Sequence, residues 1–150
     1  MLPVQTSNMK FLLNGGLLLG TVDGANIELG EAAGEENCFF FGALTPDVPE
    51  LRLRHQAGQA QYPAELLEVV DALRSGMFSH GEGDIFEPLL STIFQGDYYL
   101  ISDDFLPYLE AQRMVDEAYV DQQSWVEKCS ASPSPSLSSF PRRHLPSALY

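Results

Sequence analysis

Positive charge is scarce in this chain. Across 150 positions, 8 lysine and arginine residues face 21 aspartate and glutamate residues, a formal net charge of −13. That balance argues against nucleic-acid binding, since phosphates need a positive surface. It names no partner, because an acidic surface chiefly confers solubility. Cysteine is scarcer still. Cys38 and Cys129 stand far apart without CxxC or zinc-type spacing, which excludes a disulfide framework and fits a reducing compartment. The longest apolar runs, such as residues 17–19 and 39–41, are far too short to span a bilayer. Residues 1–7 have neither the basic region nor the apolar core of a signal peptide. The expectation is a soluble, cytoplasmic protein that engages neither membrane nor nucleic acid. His55, His80 and His144 are scattered, and none pairs with a second ligand at metal spacing, so no metal site is expected. The suggestive stretch HGEGD at 80–84 reads as a glycine-rich surface loop. No P-loop, G-x-S-x-G elbow or G-x-G-x-x-G fingerprint occurs.

What the chain does have is 45% hydrophobic content and the length of one domain with a real core. Thr6, Ser7 and Asn8 are capping types ahead of a short helix over residues 9–13, which the Asn14-Gly15-Gly16 stop ends. Residues 17–21 and 37–41 read as short, wholly apolar strands. Such strands predict a sheet covered on both faces, as in parallel α/β folds. A short helix over 25–29 lies between them. Residues 45–61 read as loop or weak helix. Tyr62-Pro63 opens a helix whose Leu66, Leu67, Val70 and Leu73 share a face, ending at Gly76. Asp84 is expected to cap the next helix, with Phe86, Leu89, Leu90, Ile93 and Phe94 as its apolar stripe. A third strand is expected over 98–101, a long helix over 104–119, and a last helix capped by Asp121 and carrying Trp125. After Lys128 the composition turns to serine and proline. Residues 129–150 are therefore expected to form a disordered tail.

One residue stands out. Lys10 is the only basic residue in the first fifty, set beside an apolar run. A lysine there commonly buries its stem and keeps its ammonium in water. Its position also allows another use. The start of a helix favours a phosphate, and Lys10 lies one turn after Thr6 on the same face. A phosphate at the first turn and a carbonyl within reach of the amine suit pyridoxal phosphate, but this spacing is common among capped helices.

The residues themselves are more specific. The run TSNMKFLLNG at 6–15 resembles the pyridoxal-phosphate signature of the glycogen and starch phosphorylases. The similarity continues through GTVDGANIE at 20–28 and GEEN at 34–37 before FFFG at 39–42, and more weakly from GMFS at 76–79 to Trp125 and Lys128. The resemblance implies an α-1,4-glucan phosphorylase, a glycosyltransferase that splits terminal glucosyl units from glycogen or starch with orthophosphate, giving glucose 1-phosphate. It implies that Lys10 holds pyridoxal 5′-phosphate as a Schiff base, kept from water by its apolar neighbours. Thr6 and Ser7 would help hold the cofactor phosphate, and Asn14 with the DGAN turn at 23–26 would shape the pocket wall. The cofactor's phosphate, not its ring, relays a proton in that family, whose members are homodimeric, allosteric, cytoplasmic enzymes. The implied fold is a partial Rossmann-like C-terminal domain of a GT-B type glycosyltransferase over residues 1–128.

The departures also carry information. The family places Glu-Ala-Ser-Gly just before the position of Thr6, where this chain has MLPVQ. After the Lys128 region it continues with a Phe-Ser-Ser-Asp-Arg type segment, where this chain has its serine-proline tail. The expectation is a C-terminal piece without retained catalytic residues and without activity alone. The rival reading is a non-catalytic, acidic α/β interaction protein.

Overall fold

The computed structural model describes the backbone of residues 6–131 and the side chains of residues 7–130. Two strands, β1 (Leu18–Thr21) and β2 (Cys38–Phe41), pair in parallel with Leu18 opposite Cys38 and Thr21 opposite Phe41. Parallel neighbours need a crossover. Here it is α2 (Ala25–Ala33) followed by a 3₁₀ turn at Glu35–Asn37. Helix α1 (Thr6–Leu13) precedes the pair. Then follow α3 (Val48–Gln56), α4 (Ala64–Arg74), a 3₁₀ turn at Gly83–Phe86, α5 (Glu87–Phe94), α6 (Ile101–Val120) and α7 (Gln122–Ala131). The protein is α/β. Its chain divides into two units, one drawing on residues up to Phe41 and from Ala111, the other spanning Gly42–Glu110.

In the first unit, Met9, Leu12, Leu18 and Leu29 form the core, with Ala32, Cys38 and Phe40 packed against it. Gly30 is required there: a Cβ at this position would meet the Phe40 ring at 2.7 Å. The expectation that both strands are covered on both faces is corrected. Leu18 and Phe39 are buried, but the other residues of the pair are only half-buried. Asp121 caps α7 as expected, its Oδ1 accepting from the Ser124 N–H at 3.2 Å. Trp125 meets Tyr119 edge-on at 5.1 Å. Helix α7 runs through Ala131, so the first residues assigned to the tail are helical. Residues 132–150, with Arg142, Arg143 and His144, lie outside the described residues, as does the expectation of disorder there.

The second unit packs α4 against α5 through Leu66, Val70, Leu90 and Ile93, with Tyr62, Leu73, Phe86 and Phe94 around them. Leu67 and Leu89 were expected in this stripe but are 39% and 56% exposed. Each helical step turns about 100°, so only one neighbour in each Leu-Leu pair can face the core. Residues 45–61 contain a regular helix, α3, that periodicity does not reveal: Leu53 points to solvent and only His55 is buried. Asp84 does not cap α5. It lies within the 3₁₀ turn, and α5 begins at Glu87 with Pro88 in its first turn.

The third strand expected over 98–101 is also corrected. Asp97 and Leu100 adopt positive φ, 36° and 57°, and the chain turns directly into α6. The cause is the buried Asp97 carboxylate. Its Oδ1 accepts from the Ile101 N–H at 2.9 Å, and its Oδ2 from the Ser102 N–H and Oγ–H at 2.7 Å each. These satisfy donors that a helix start leaves free. Asp97→Ala strands them in a site that is 1% exposed. The expected cost is about 3 kcal/mol, read as a lower urea midpoint at unchanged slope, with Asp97→Asn losing less.

Candidate cofactor-binding site

Helix α1 is too short to be stable by itself and depends on the side chains it buries. Met9 and Leu12, three residues apart, form its buried stripe. Lys10, one step of about 100° from Met9, therefore points away from the core and is exposed, as are Ser7, Phe11 and Leu13. The expectation that apolar neighbours shield Lys10 from water is corrected here, since Phe11 and Leu13 themselves face outward. The end of the helix is well satisfied. Asn14 Nδ2 donates to the Lys10 carbonyl at 2.7 Å, and the Gly16 N–H donates to the Phe11 carbonyl at 2.8 Å.

The DGAN turn does more than shape a loop. Asn26 Oδ1 accepts from Asn8 Nδ2 at 2.8 Å, and Asn26 Nδ2 donates to the Thr21 carbonyl at 2.9 Å. One amide thus joins α1, the start of α2 and the end of β1. Gly20 makes room for it: a Cβ there would come within 2.9 Å of Asn26 Nδ2. Sequence reading assigned Asn26 to a wall and missed this tie, because its partners are set by folding and not by spacing.

The residues present fit a phosphate-bearing aldehyde. The first turn of α1 carries no acidic residue of its own, so nothing within that turn offsets the positive end of the helix. Ser7 and Lys10 are three apart on neighbouring turns, and the Thr6 backbone opens the helix four residues before Lys10. Among the described residues nothing accepts a hydrogen bond or ion pair from the Lys10 ammonium. Elsewhere in this unit Cys38 is a poor nucleophile. Burial pushes its thiol up, Glu36 and Glu35 add to this, and Lys128 opposes it. Among the described residues no group of three histidine, cysteine or acidic side chains could hold a metal ion.

The second unit contains a cluster that sequence reading passed over. His55 is buried, its Nε2 lies 2.6 Å from Asp103 Oδ2, and its Nδ1 lies 3.8 Å from Asp97 Oδ2 without a hydrogen-bond partner. Beside it an open cleft of about 420 Å³ is lined by Asp47, Glu50, Arg54 and Asp104. Asp104 Oδ1 accepts from the Ala43 N–H at 2.7 Å, so this carboxylate serves the backbone. No local signal marks the cluster, because His55 and Asp103 are 48 positions apart.

Parallel strands joined by a crossover helix define an α/β protein. Comparison places it further. The carbohydrate phosphorylase family matches residues 4–139. The chain is 47% identical over 125 residues to the glycogen phosphorylase of Saccharomyces cerevisiae, covering 82% of this chain and 14% of that protein. It is 45% identical to the glycogen phosphorylase of Synechocystis over 122 residues, 80% of this chain and 14% of the relative. It is 43% identical to the alpha-glucan phosphorylase H isozyme of Solanum tuberosum over 135 residues, 86% and 16% respectively. The chain belongs to the carbohydrate phosphorylase family, and spans about one-seventh of the length of these relatives.

If Asn26 is the tie that holds α1, its loss should act locally. Asn26→Ala is expected to raise hydrogen exchange at the amides of residues 9–13. The global cost is about 1–2 kcal/mol. Exchange in α4 should not change.

Proposed function

We propose that this chain supplies the cofactor-holding part of an α-1,4-glucan phosphorylase, acting on α-1,4-glucan and orthophosphate. The observation that carries the proposal is Lys10: exposed, without a partner among the described residues, and set within the family match. In this reading Lys10 is the covalent anchor. The Thr6 and Ser7 hydroxyls and the free N–H groups of α1 hold the phosphate. Met9 and Leu12 keep the helix seated, and Asn26 fixes its approach, so that the amine is held in position before ligand arrives. Pyridoxal phosphate, when bound, supplies a phosphate group for acid–base exchange with orthophosphate.

The same reading places residues 1–128 in the Rossmann-like C-terminal domain of a GT-B type enzyme, with 129–150 as a tail. Its support is the β1–α2–β2 unit, the repeat from which such sheets are built. It also places the protein in the cytoplasm. No described helix is long and apolar enough to cross a membrane. The name of the Arabidopsis thaliana relative, alpha-glucan phosphorylase 2, cytosolic, supports that placement. Partners carried by this reading are glucan, orthophosphate and a second subunit.

Two outcomes test it. Borohydride reduction in the presence of pyridoxal phosphate should leave a stable pyridoxyl mass on Lys10, and Lys10→Ala should remove it. Labelling of Lys128 in its place would overturn the assignment. The 150-residue chain should nevertheless form no glucose 1-phosphate above the Lys10→Ala background. Two phosphate dianions in contact repel by several kcal/mol unless cations screen them. In the first unit the only described cations besides Lys10 are Arg113 and Lys128, and Lys128 Nζ already donates to the Glu36 carbonyl.

A further inference from the structure

Helix α3 is attached to the second unit differently from its neighbours. The apolar core there draws on α4 and α5 through Leu66, Val70, Leu90 and Ile93, and on α6 through Ile101 and Phe105. Among the described residues it takes nothing from α3. Leu53 is 66% exposed, and His55 is the one buried residue of the helix. Residues 44–47 before it and 57–59 after it are exposed. A nine-residue helix is too short to be stable by itself, so its side-chain contacts must hold it in place.

Those contacts are polar. His55 Nε2 lies 2.6 Å from Asp103 Oδ2. Arg52 Nε donates to the Tyr98 carbonyl at 3.2 Å, with its guanidinium 4.0 Å from the Tyr98 ring centroid. The His55 tie is also one-sided. Its Nδ1 is buried without a hydrogen-bond partner, 3.8 Å from an Asp97 oxygen that already accepts twice from Ser102. Releasing α3 therefore breaks one short bond, but it hydrates a buried nitrogen that has no bond to lose. It returns little apolar core to water, which is the term that keeps α4 and α5 closed. The cleft of about 420 Å³ is lined by Glu50, Leu51 and Arg54 of α3 together with Asp103, Asp104 and Pro107 of α6. The His55–Asp103 pair thus joins the two helices on which the cleft depends.

We propose that α3 is a strap that opens as a unit, by releasing His55 from Asp103, while the α4–α5 core stays folded. Opening parts the two helices that line the cleft and admits water to the His55 and Asp97 side chains, each 1% exposed in the closed form. The width of the cleft then follows the state of one buried histidine–carboxylate pair. Every contact involved lies within residues 42–110, apart from Lys10.

The test is native-state hydrogen exchange of the 150-residue chain at increasing low concentrations of urea. The amides of residues 52–57 are expected to exchange at least about tenfold faster than those of residues 67–74, with little response to urea, since a local opening exposes little surface. His55→Gln should speed exchange over 52–57 by about tenfold or more and leave 67–74 unchanged. Asp103→Asn, which keeps the shape of the side chain, should act in the same direction more mildly. Leu66→Ala supplies the converse: it should lower the global unfolding midpoint and speed exchange over 67–74 without changing 52–57. Equal exchange of the two sets in the unaltered chain would overturn the proposal, since α3 would then open only with the core. So would equal acceleration of both sets by Leu66→Ala, or by His55→Gln in a chain that its unfolding midpoint shows to be folded. Should His55→Gln fail to fold, Asp103→Asn decides in its place, and no selective change over 52–57 in that variant would overturn the strap.

Discussion

The packing of Met9 and Leu12 against Leu18 and Leu29 is the constraint on which the first unit turns. Each such side chain contributes about 1.5–3 kcal/mol by leaving water, and an eight-residue helix has little else to hold it. Once those two residues face inward, the angular step of the helix fixes every other side chain. Lys10 has no choice but to face out. The same geometry explains the answer to why a lysine sits within an apolar run: the run is not uniformly buried, and the lysine occupies its open side. Hydrophobic packing thus aims an amine that it never touches.

Polar ties supply what packing leaves undetermined. A helix seated by two residues can still rotate or slide, and Asn26 restrains it by joining Asn8 to the Thr21 carbonyl. In the second unit Asp97 has the corresponding part. Its three accepted hydrogen bonds start α6, and its approach to the His55 ring places a buried imidazole between two carboxylates. Such groups are costly to bury unless satisfied, and they therefore specify one arrangement more sharply than apolar contacts do. Both ties come from short polar side chains whose role depends on residues brought close only by folding.

That difference explains how much of the protein was legible in its sequence. The β1–α2–β2 order, α4, the long α6 and the Asp121 cap follow from local patterns, because strands, amphipathic helices and N-caps are encoded within a few residues. Helix α3 was hidden since it buries almost nothing but His55. The strand expected at 98–101 failed for a related reason: its aromatic residues have strand propensity, but Asp97 captures the N–H groups four and five positions ahead and turns the chain into a helix. That span exceeds the usual N-cap reach of two or three residues. For the candidate site, the motif singled out Lys10, yet its exposure depended on which stripe of α1 the core selected.

Tyr98 and Tyr99 show how a failed strand becomes informative. In a sheet, alternate residues would face opposite sides, and one tyrosine would be buried. The turn makes both exposed and instead buries the flanking Asp97 and Leu100. The two rings therefore do not contribute to the core in proportion to their size. Arg52 spends its stacking surface and a hydrogen bond on holding one of them at the surface. Stability alone would be served as well by small polar residues at these positions, which would avoid exposing aromatic area to water.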